Sequence, residues 1–293
     1  MKRLLCALIA LMLLGSFACA ETLRVGMECN YAPYNWTQTE ASDEALPLSG
    51  GGYADGYDVR IAKRVAEELG YDIEIVKTEW DGLVPSLLSG NIDVIIAGMS
   101  PTAERMATID FTDPYYESEL VIVVRKDGAY ANAASLADFA GAKITGQLNT
   151  FHYTVIDQIP DVQKQTAMDT FPTMVVALTS GVIDGYISER PGAESAVATN
   201  PDLTYVEFAD GQGFETDPAD TSIAVGVAKG SELTARINEA LATISDEERL
   251  QIMEDVLDAD EMEFVRTDAR PQVEVKFKLA EWWGVLMEKL GAK

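Results

Sequence analysis

Leu87-Leu88-Ser89-Gly90-Asn91-Ile92-Asp93-Val94-Ile95-Ile96 returns later in the chain as Leu178-Thr179-Ser180-Gly181-Val182-Ile183-Asp184-Gly185-Tyr186-Ile187. Both copies read L-x-S-G-x-I-D-x-x-I. In each, the spacing predicts a helix that stops at a glycine, the residue that enters the left-handed conformation at least cost, and a strand that begins just beyond it. Two copies do not make a solenoid. They predict two lobes, each with its own α/β sheet. Ligands of open α/β sheets gather beyond the carboxyl ends of the strands. Those ends fall at Ala97–Arg105 in the first copy and at Ser188–Arg190 in the second.

Working outward, strand-like and helix-like segments alternate, which points to α/β architecture with mostly parallel sheets. Leu23–Met27 reads as a strand. Tyr57–Leu69 reads as a helix with Val59, Ala62, Val65, Ala66 and Leu69 on one face. Tyr71–Lys77 is a strand, Asp81–Ser89 a short helix and Ile92–Ala97 a buried strand, while Thr37–Gly56, rich in Gly, Ser and acids, reads as a surface loop. Leu120–Arg125 and Thr221–Val227 flank the second copy as paired strands crossing between lobes. Helices at Glu232–Ile244 and Asp246–Val256 close the pattern, the last opened by Ser245 and Glu248 at capping-box spacing. The resulting division gives residues 21–125 and 222–257 to lobe 1 and 126–221 to lobe 2. A tail, 258–293, carries Leu279, Trp282, Trp283, Leu286 and Leu290 on one helical face.

Residues 1–20 have the layout of a secretory signal peptide: Lys2 and Arg3, the apolar run Leu4–Leu14, and the small-x-small site Ala18-Cys19-Ala20. Acylation at Cys19 competes, but Ser16-Phe17-Ala18 fits a lipidation box poorly and no spacer precedes the first strand. Cleavage after Ala20 and a periplasmic or extracellular location are therefore expected. Cys29 is then the only cysteine of the mature chain, so no internal disulfide is available and a packed core must hold the fold. The 48 acidic residues against 22 basic ones give a net charge of −26. Such a surface repels nucleic acid and anionic lipid, so both are poor partners.

Chemistry concentrates at the two strand ends. Ala97-Gly98-Met99-Ser100-Pro101-Thr102-Ala103-Glu104-Arg105 joins a buried strand, a glycine that admits close approach to the backbone, and Ser100-Pro101, read as N-cap and first helical position. Arg105 lies one turn in and can give a carboxylate two parallel hydrogen bonds. Ser188 and Glu189 hold the matching place in the second copy, where a carboxylate suits an ammonium group. A zwitterion fits between the two. Asn149 and Thr150 precede a helix at Phe151–Ile159 and can add donors. Tyr31, Tyr34, Trp36 and Trp80 follow the first two strands and can pack a ligand or its cation, though core packing suits Trp36 better. Glu28 ends the first strand and can accept from a ligand side chain. Each has a plainer reading: a capped helix with a surface arginine, a solvated acid, a core aromatic ring. The only histidine, His152, is read as solvated at a helix start and Cys29 as a packed thiol, so histidine dyads and metal sites have little to rest on. No phosphate loop, CxxC or HExxH pattern occurs, and no cofactor or metal is expected.

Leu23-Arg24-Val25-Gly26, Tyr31-Ala32-Pro33-Tyr34, Gly56-Tyr57-Asp58-Val59, Trp80-Asp81-Gly82-Leu83-Val84-Pro85-Ser86-Leu87, Gly90-Asn91-Ile92-Asp93, Gly98–Arg105 and Phe111-Thr112-Asp113-Pro114-Tyr115-Tyr116 occur in an order that resembles the polar amino acid-binding proteins of ABC importers, from about Leu23 to Val256. The resemblance implies a periplasmic-binding-protein type II fold, two lobes joined by two hinge strands. It also implies that Arg105 clamps the ligand α-carboxylate with backbone amides near Gly98, Ser100 and Thr150. Glu189 stands where the family usually has an aspartate for the α-ammonium. Tyr31 and Trp80 match the aromatic pair around the ligand. Glu28 matches an acidic position that meets the distal nitrogen of basic amino acids, which leans toward lysine or arginine with glutamine possible, and Ala97 replaces a serine. The tail lies outside the pattern. The function implied is capture of one free amino acid by hinge closure, by a monomer that delivers it to importer membrane subunits, without catalysis. Rival readings are a secreted cyclohexadienyl dehydratase on the same fold and a ligand-sensing module.

Overall fold

The structure, a computed structural model, describes residues 21–258. The expected signal peptide, Cys19 and nearly all of the tail with its tryptophan face lie outside the described residues.

The chain enters as β1 (Thr22–Met27), in which Leu23, Val25 and Met27 are buried. Four short strands follow, β2 (Asn30–Tyr31), β3 (Asn35–Gln38), β4 (Leu46–Pro47) and β5 (Tyr53–Asp55), forming an antiparallel sheet in the order β2-β3-β5-β4. Thr37–Gly56 is therefore not only a loop. Trp36, Leu48 and Ala54 bury their apolar surface there, and the acid that suggested solvent, Asp55, is itself buried and accepts from Ser42 Oγ and the Gly56 amide. Helix α1 (Tyr57–Leu69) buries Val59, Ile61, Ala62, Val65 and Ala66. It ends on Gly70 at φ +71°, with the Tyr71 amide reaching back to the Ala66 carbonyl at 2.9 Å. That left-handed residue is what lets the chain leave the helix and turn into β6 (Asp72–Lys77).

A 3₁₀ turn at Trp80–Gly82 leads into α2 (Leu83–Leu88) and β7 (Val94–Ile95). The regular ladder of β7 is shorter than the apolar run suggested, although the amides of Asp93 and Ile96 still donate to β1 at either side of it. Gly26 makes this packing possible: a Cβ there would fall 2.3 Å from Ile92 Cδ1. Helix α3 (Ala103–Met106) and β8 (Asp110–Glu117) complete the first pass.

The second lobe is laid down as β9 (Leu120–Arg125), β10 (Lys143–Thr145), α4 (Phe151–Thr154), β11 (Gln163–Lys164), α5 (Phe171–Thr179), β12 (Gly185–Glu189), α6 (Arg190–Thr199) and β13 (Leu203–Val206). Then come α7 (Pro218–Thr221), β14 (Ser222–Val227), α8 (Leu233–Leu241) and α9 (Asp246–Leu257), the last capped by Ser245, whose hydroxyl accepts from the Glu248 amide.

Two five-stranded sheets result, β6-β1-β7-β14-β8 and β11-β10-β12-β9-β13. They are wired alike. In each, a parallel trio (β6, β1, β7; β11, β10, β12) is continued by an antiparallel strand, β14 in the first and β9 in the second. The repeated decapeptide falls at the same joint in both, α2 to β7 and α5 to β12, and both glycines take the left-handed conformation, Gly90 at φ +74° and Gly181 at φ +77°.

One boundary shifts. β9, placed with lobe 1 by the 21–125 division, is hydrogen-bonded wholly into the second sheet, between β12 and β13. Its apolar residues look the same from either side of the junction, so the pattern alone could not place it. The chain instead crosses just before β9 and just before β14, and the two crossings touch, with the Ser118 amide donating to the Thr221 carbonyl at 3.0 Å.

Candidate functional site

The carboxyl ends of β1, β7 and β12 converge on one interlobe cleft. Beyond β7, Gly98 adopts φ +63°, and a Cβ there would lie 3.1 Å from Tyr31 Cε1. Glycine thus admits the Tyr31 ring against the backbone. The Gly98 amide donates to Tyr115 Oη at 3.3 Å, and that hydroxyl donates to Asp58 Oδ1 at 2.6 Å. Asp58 also accepts from Asn35 Nδ2 at 2.7 Å. Burial pushes its carboxyl up to about 7 against these hydrogen bonds. The floor of the cleft is therefore pinned by a buried polar chain that begins at the first turn of α1.

Ser100 is buried but is not the helix cap. Thr102 is, its hydroxyl accepting from the Arg105 amide, and Ser100 and Pro101 belong to the approach loop. With Thr102 as cap, Arg105 still sits in the first turn, and its guanidinium folds back to donate to the Ser100 carbonyl at 3.0 Å and the Asn149 carbonyl at 3.1 Å. Its Cζ lies 5.0 Å from the Trp80 ring centroid. Burial draws its pKa down to about 10, against the opposing pull of Glu104, Asp220 and Glu189. Among the described residues the cation is held by carbonyls and an indole face and by no ion pair, which leaves its charge for an incoming anion.

Asn149, at φ +56°, joins the lobes: its carbonyl takes the Arg105 bond and its Nδ2 donates to Asp81 Oδ1 at 2.8 Å. Thr150 is buried, and its hydroxyl turns to the Gln147 carbonyl at 2.7 Å instead of capping the following turn. The helix expected over Phe151–Ile159 is α4 followed by a 3₁₀ turn at Val155–Gln158.

At the end of β12, Glu189 is completely buried. Tyr31 Oη donates to its Oε2 from the other lobe. Burial pushes the Glu189 carboxyl up to about 7, opposed by the Tyr31 hydrogen bond. Tyr31 stacks flat on Phe171, with centroids 4.1 Å apart and planes 9° apart. Tyr31 and Trp80 are thus separate walls. Among the described residues Trp80 makes no ring-to-ring contact; its face belongs to Arg105.

Glu28, just past β1, is buried and accepts from Gln147 Nε2 at 3.0 and 3.2 Å. Burial pushes its carboxyl up to about 7, opposed by Gln147. Ala97 and Met99 are buried in the small apolar cluster with Leu83, Ile92 and Ile109, so they shape the wall without donating to it. Cys29 is a packed thiol with its pKa pushed up to about 12 by burial.

The reading of His152 as solvated is corrected. The residue is buried, its ring 4.4 Å from Phe151 and 6.0 Å from Phe171, because the first turn of α4 packs between the end of β12 and the start of α5. Gln147, Phe171, Asp81 and Asp58 also build the cleft and were not singled out. Phe171 had the clearest signal, lying between Thr170, which caps α5, and Pro172.

Chemically, the cleft offers a cationic fork at one end, a buried carboxylate at equivalent strand-end position in the other lobe, and a second buried carboxylate at Glu28. No group of His, Cys, Asp and Glu fit to hold a metal occurs among the described residues. A separate open groove of about 660 Å³, lined by Pro101, Met106, Phe111, Ala219 and Thr234, contains none of these charged groups.

The sequence profile of the bacterial extracellular solute-binding proteins, family 3, matches residues 23–256. The probable histidine-binding protein of Campylobacter jejuni is 34% identical over 195 residues, 66% of this chain and 70% of that one. The ABC transporter arginine-binding protein 1 of Escherichia coli is 30% identical over 249 residues, 83% of this chain and 93% of that one. An amino acid ABC transporter substrate-binding protein of Streptococcus pneumoniae, crystallised with L-arginine, superposes with a TM-score of 0.68 at 26% identity, over 81% of this chain and 95% of that one.

Proposed function

This chain belongs to the bacterial extracellular solute-binding proteins, family 3, and from that premise we propose that it captures a basic L-amino acid outside the cytoplasm for an ABC importer. The observation that carries the reading is the pairing of Arg105, whose charge no ion pair consumes, with the buried Glu189 at the equivalent strand end of the other lobe. In this reading Arg105 takes the α-carboxylate and Glu189 the α-ammonium. Glu28 takes the distal nitrogen, which favours an arginine- or lysine-like side chain over glutamine. Tyr31 and Phe171 on one side and Trp80 on another enclose the aliphatic stem.

Tyr31 Oη holds Oε2 of Glu189 and leaves Oε1 for an ammonium, while Gln147 Nε2 stands on Glu28 where a guanidinium would. Binding gives both acids a cationic donor, and a hydrogen bond between opposite charges is stronger than one from a neutral donor. Movement about the paired crossings at Ser118 and Thr221 parts the lobes to admit the ligand and brings them back together around it. Part of the interaction energy is consumed in closing, so affinity is smaller than the contacts alone suggest. The protein acts as a monomeric receptor and not as an enzyme, and it presents its closed form to the importer's membrane subunits.

Calorimetry against arginine, lysine, histidine and glutamine tests this. A basic amino acid should bind and Arg105→Ala should abolish binding. Absence of binding by any of the four, or equal binding by Arg105→Ala, would reject the assignment, and turnover of prephenate or arogenate would favour the dehydratase chemistry instead.

A further inference from the structure

His152 is the chain's only histidine, and it sits in the wall of the cleft with its side chain 6% exposed. Among the described residues neither Nδ1 nor Nε2 has a hydrogen-bond partner, and the same is true of Oε1 of Glu189, the oxygen that Tyr31 leaves free. These orphans are neighbours: Nε2 lies 3.8 Å from that Oε1, too far for a hydrogen bond between them. Leaving a buried polar group unpaired costs about 1–3 kcal/mol, so native structures rarely keep several such atoms together without a purpose. The ring does not supply a counter-charge. Burial, aided by the positive charge of Arg105, pushes its pKa down to about 3, and the imidazole stays neutral.

A neutral imidazole has one nitrogen that accepts and one that donates. With the proton on Nδ1, Nε2 and the free carboxylate oxygen form two acceptors 3.8 Å apart. A nitrogen placed about 2.8 Å from each would see them at an angle of roughly 85°, which two N–H bonds of a tetrahedral ammonium meet with a modest bend. The apolar surroundings of Phe151 and Phe171 hold the ring in place and keep it from reaching solvent.

We propose that His152 is a ligand contact, accepting through Nε2 one N–H of the bound amino acid's α-ammonium beside Oε1 of Glu189. This rests on the reading of the cleft as an amino acid site, and it adds a residue to it. Glu189 supplies the charge; His152 supplies a second acceptor that fixes the ammonium's orientation and discriminates against ligands without an α-amino group.

The test uses the full protein carrying no histidine tag, with L-arginine and its α-deamino analogue as probes. Should lysine bind in place of arginine, lysine and its own α-deamino analogue replace them. Calorimetry on His152→Phe, which keeps an aromatic ring against Phe151 and Phe171, should show binding of L-arginine weakened at least about tenfold, with the analogue changed by less than about twofold. His152→Gln, which retains an acceptor, should recover most of that loss. Because there is one histidine, its imidazole ¹⁵N signals are unambiguous, and L-arginine should shift the unprotonated nitrogen as it takes up a hydrogen bond. Equal weakening of both probes, no weakening, or an unmoved ¹⁵N signal would overturn the proposal while leaving the amino acid site intact. Failure of the unsubstituted protein to bind any of arginine, lysine, histidine or glutamine would instead bring down the reading on which it stands.

Discussion

Ligand capture should expel a proton from Glu189. Without a ligand, burial pushes this carboxyl from its ordinary 4.5 up to about 7, with the Tyr31 hydroxyl and the charge of Arg105 opposing. An ammonium seated against it favours the ionised form and draws the value back to the ordinary range or below. The bound state therefore holds fewer protons than the free state between these two values. Affinity is fully developed above about 7 and is lost as the pH falls toward 4.5. Taking the complex at 4.5 and the free cleft at 7, the loss between about pH 8 and about pH 5 approaches two decades, roughly 70-fold. Glu28, also pushed to about 7, adds to the effect where a distal nitrogen displaces Gln147. Asp58 is bonded to Tyr115 and Asn35 and has no proposed ligand contact, and the burial-lowered His152 is neutral throughout the range, so neither is assigned a share. Calorimetry with L-arginine near about pH 6, in two buffers of different ionisation enthalpy, counts the released protons directly. Glu189→Gln should bind weakly and lose its share of the slope, leaving that of Glu28. An affinity independent of pH in the unsubstituted protein, or the same slope in Glu189→Gln, would refute the argument.

Arg105→Lys should weaken L-arginine binding by roughly 10- to 100-fold, because an ammonium cannot reproduce the two-pronged bond to a carboxylate; a binding isotherm near that of the parent would count against the clamp. Gly98→Ala places a side chain at φ +63° and 3.1 Å from Tyr31 Cε1. It should cost about 1–2 kcal/mol of stability. Binding should also weaken, read from denaturant unfolding and calorimetry on the same sample. The unliganded protein should lose thermal stability from about pH 5 to about pH 8, because carboxyls raised by burial favour the fold while protonated and lose that contribution as they ionise. Glu28, Asp58 and Glu189 are those groups, and Glu189→Gln should flatten the decline in a melting series.

The parts of the molecule legible in its sequence are those set by local repetition. Tyr57–Leu69 showed its apolar face and its terminal glycine, and both are found. The decapeptide repeat located two equivalent helix-to-strand joints, and with them the strand ends that lead to Arg105 and Glu189. Strands of two to four residues such as β2 and β4 were hidden, because alternation needs more positions than they contain. The true cap of α3 was obscured because Ser100 and Thr102 are both competent, and the choice depends on where the preceding loop leaves the backbone. His152 owes its burial to α4, β12 and α5 meeting within the second lobe, and Gln147 and Phe171 owe theirs to Glu28 and Tyr31 of the first; nothing within a local window records either meeting. Charge content misled for the same reason, since an acid such as Asp55 reads as solvated until its partners are known.

The second sheet draws all five of its strands from one uninterrupted stretch, Leu120 to Val206, whereas the first sheet needs β14 wedged between β7 and β8. Without β14 nothing joins β8 to the rest of its sheet. As the polypeptide emerges from its amino end, the later-encoded half therefore reaches its complete complement of strands first, and the earlier half must wait, unfinished, until Val227 appears.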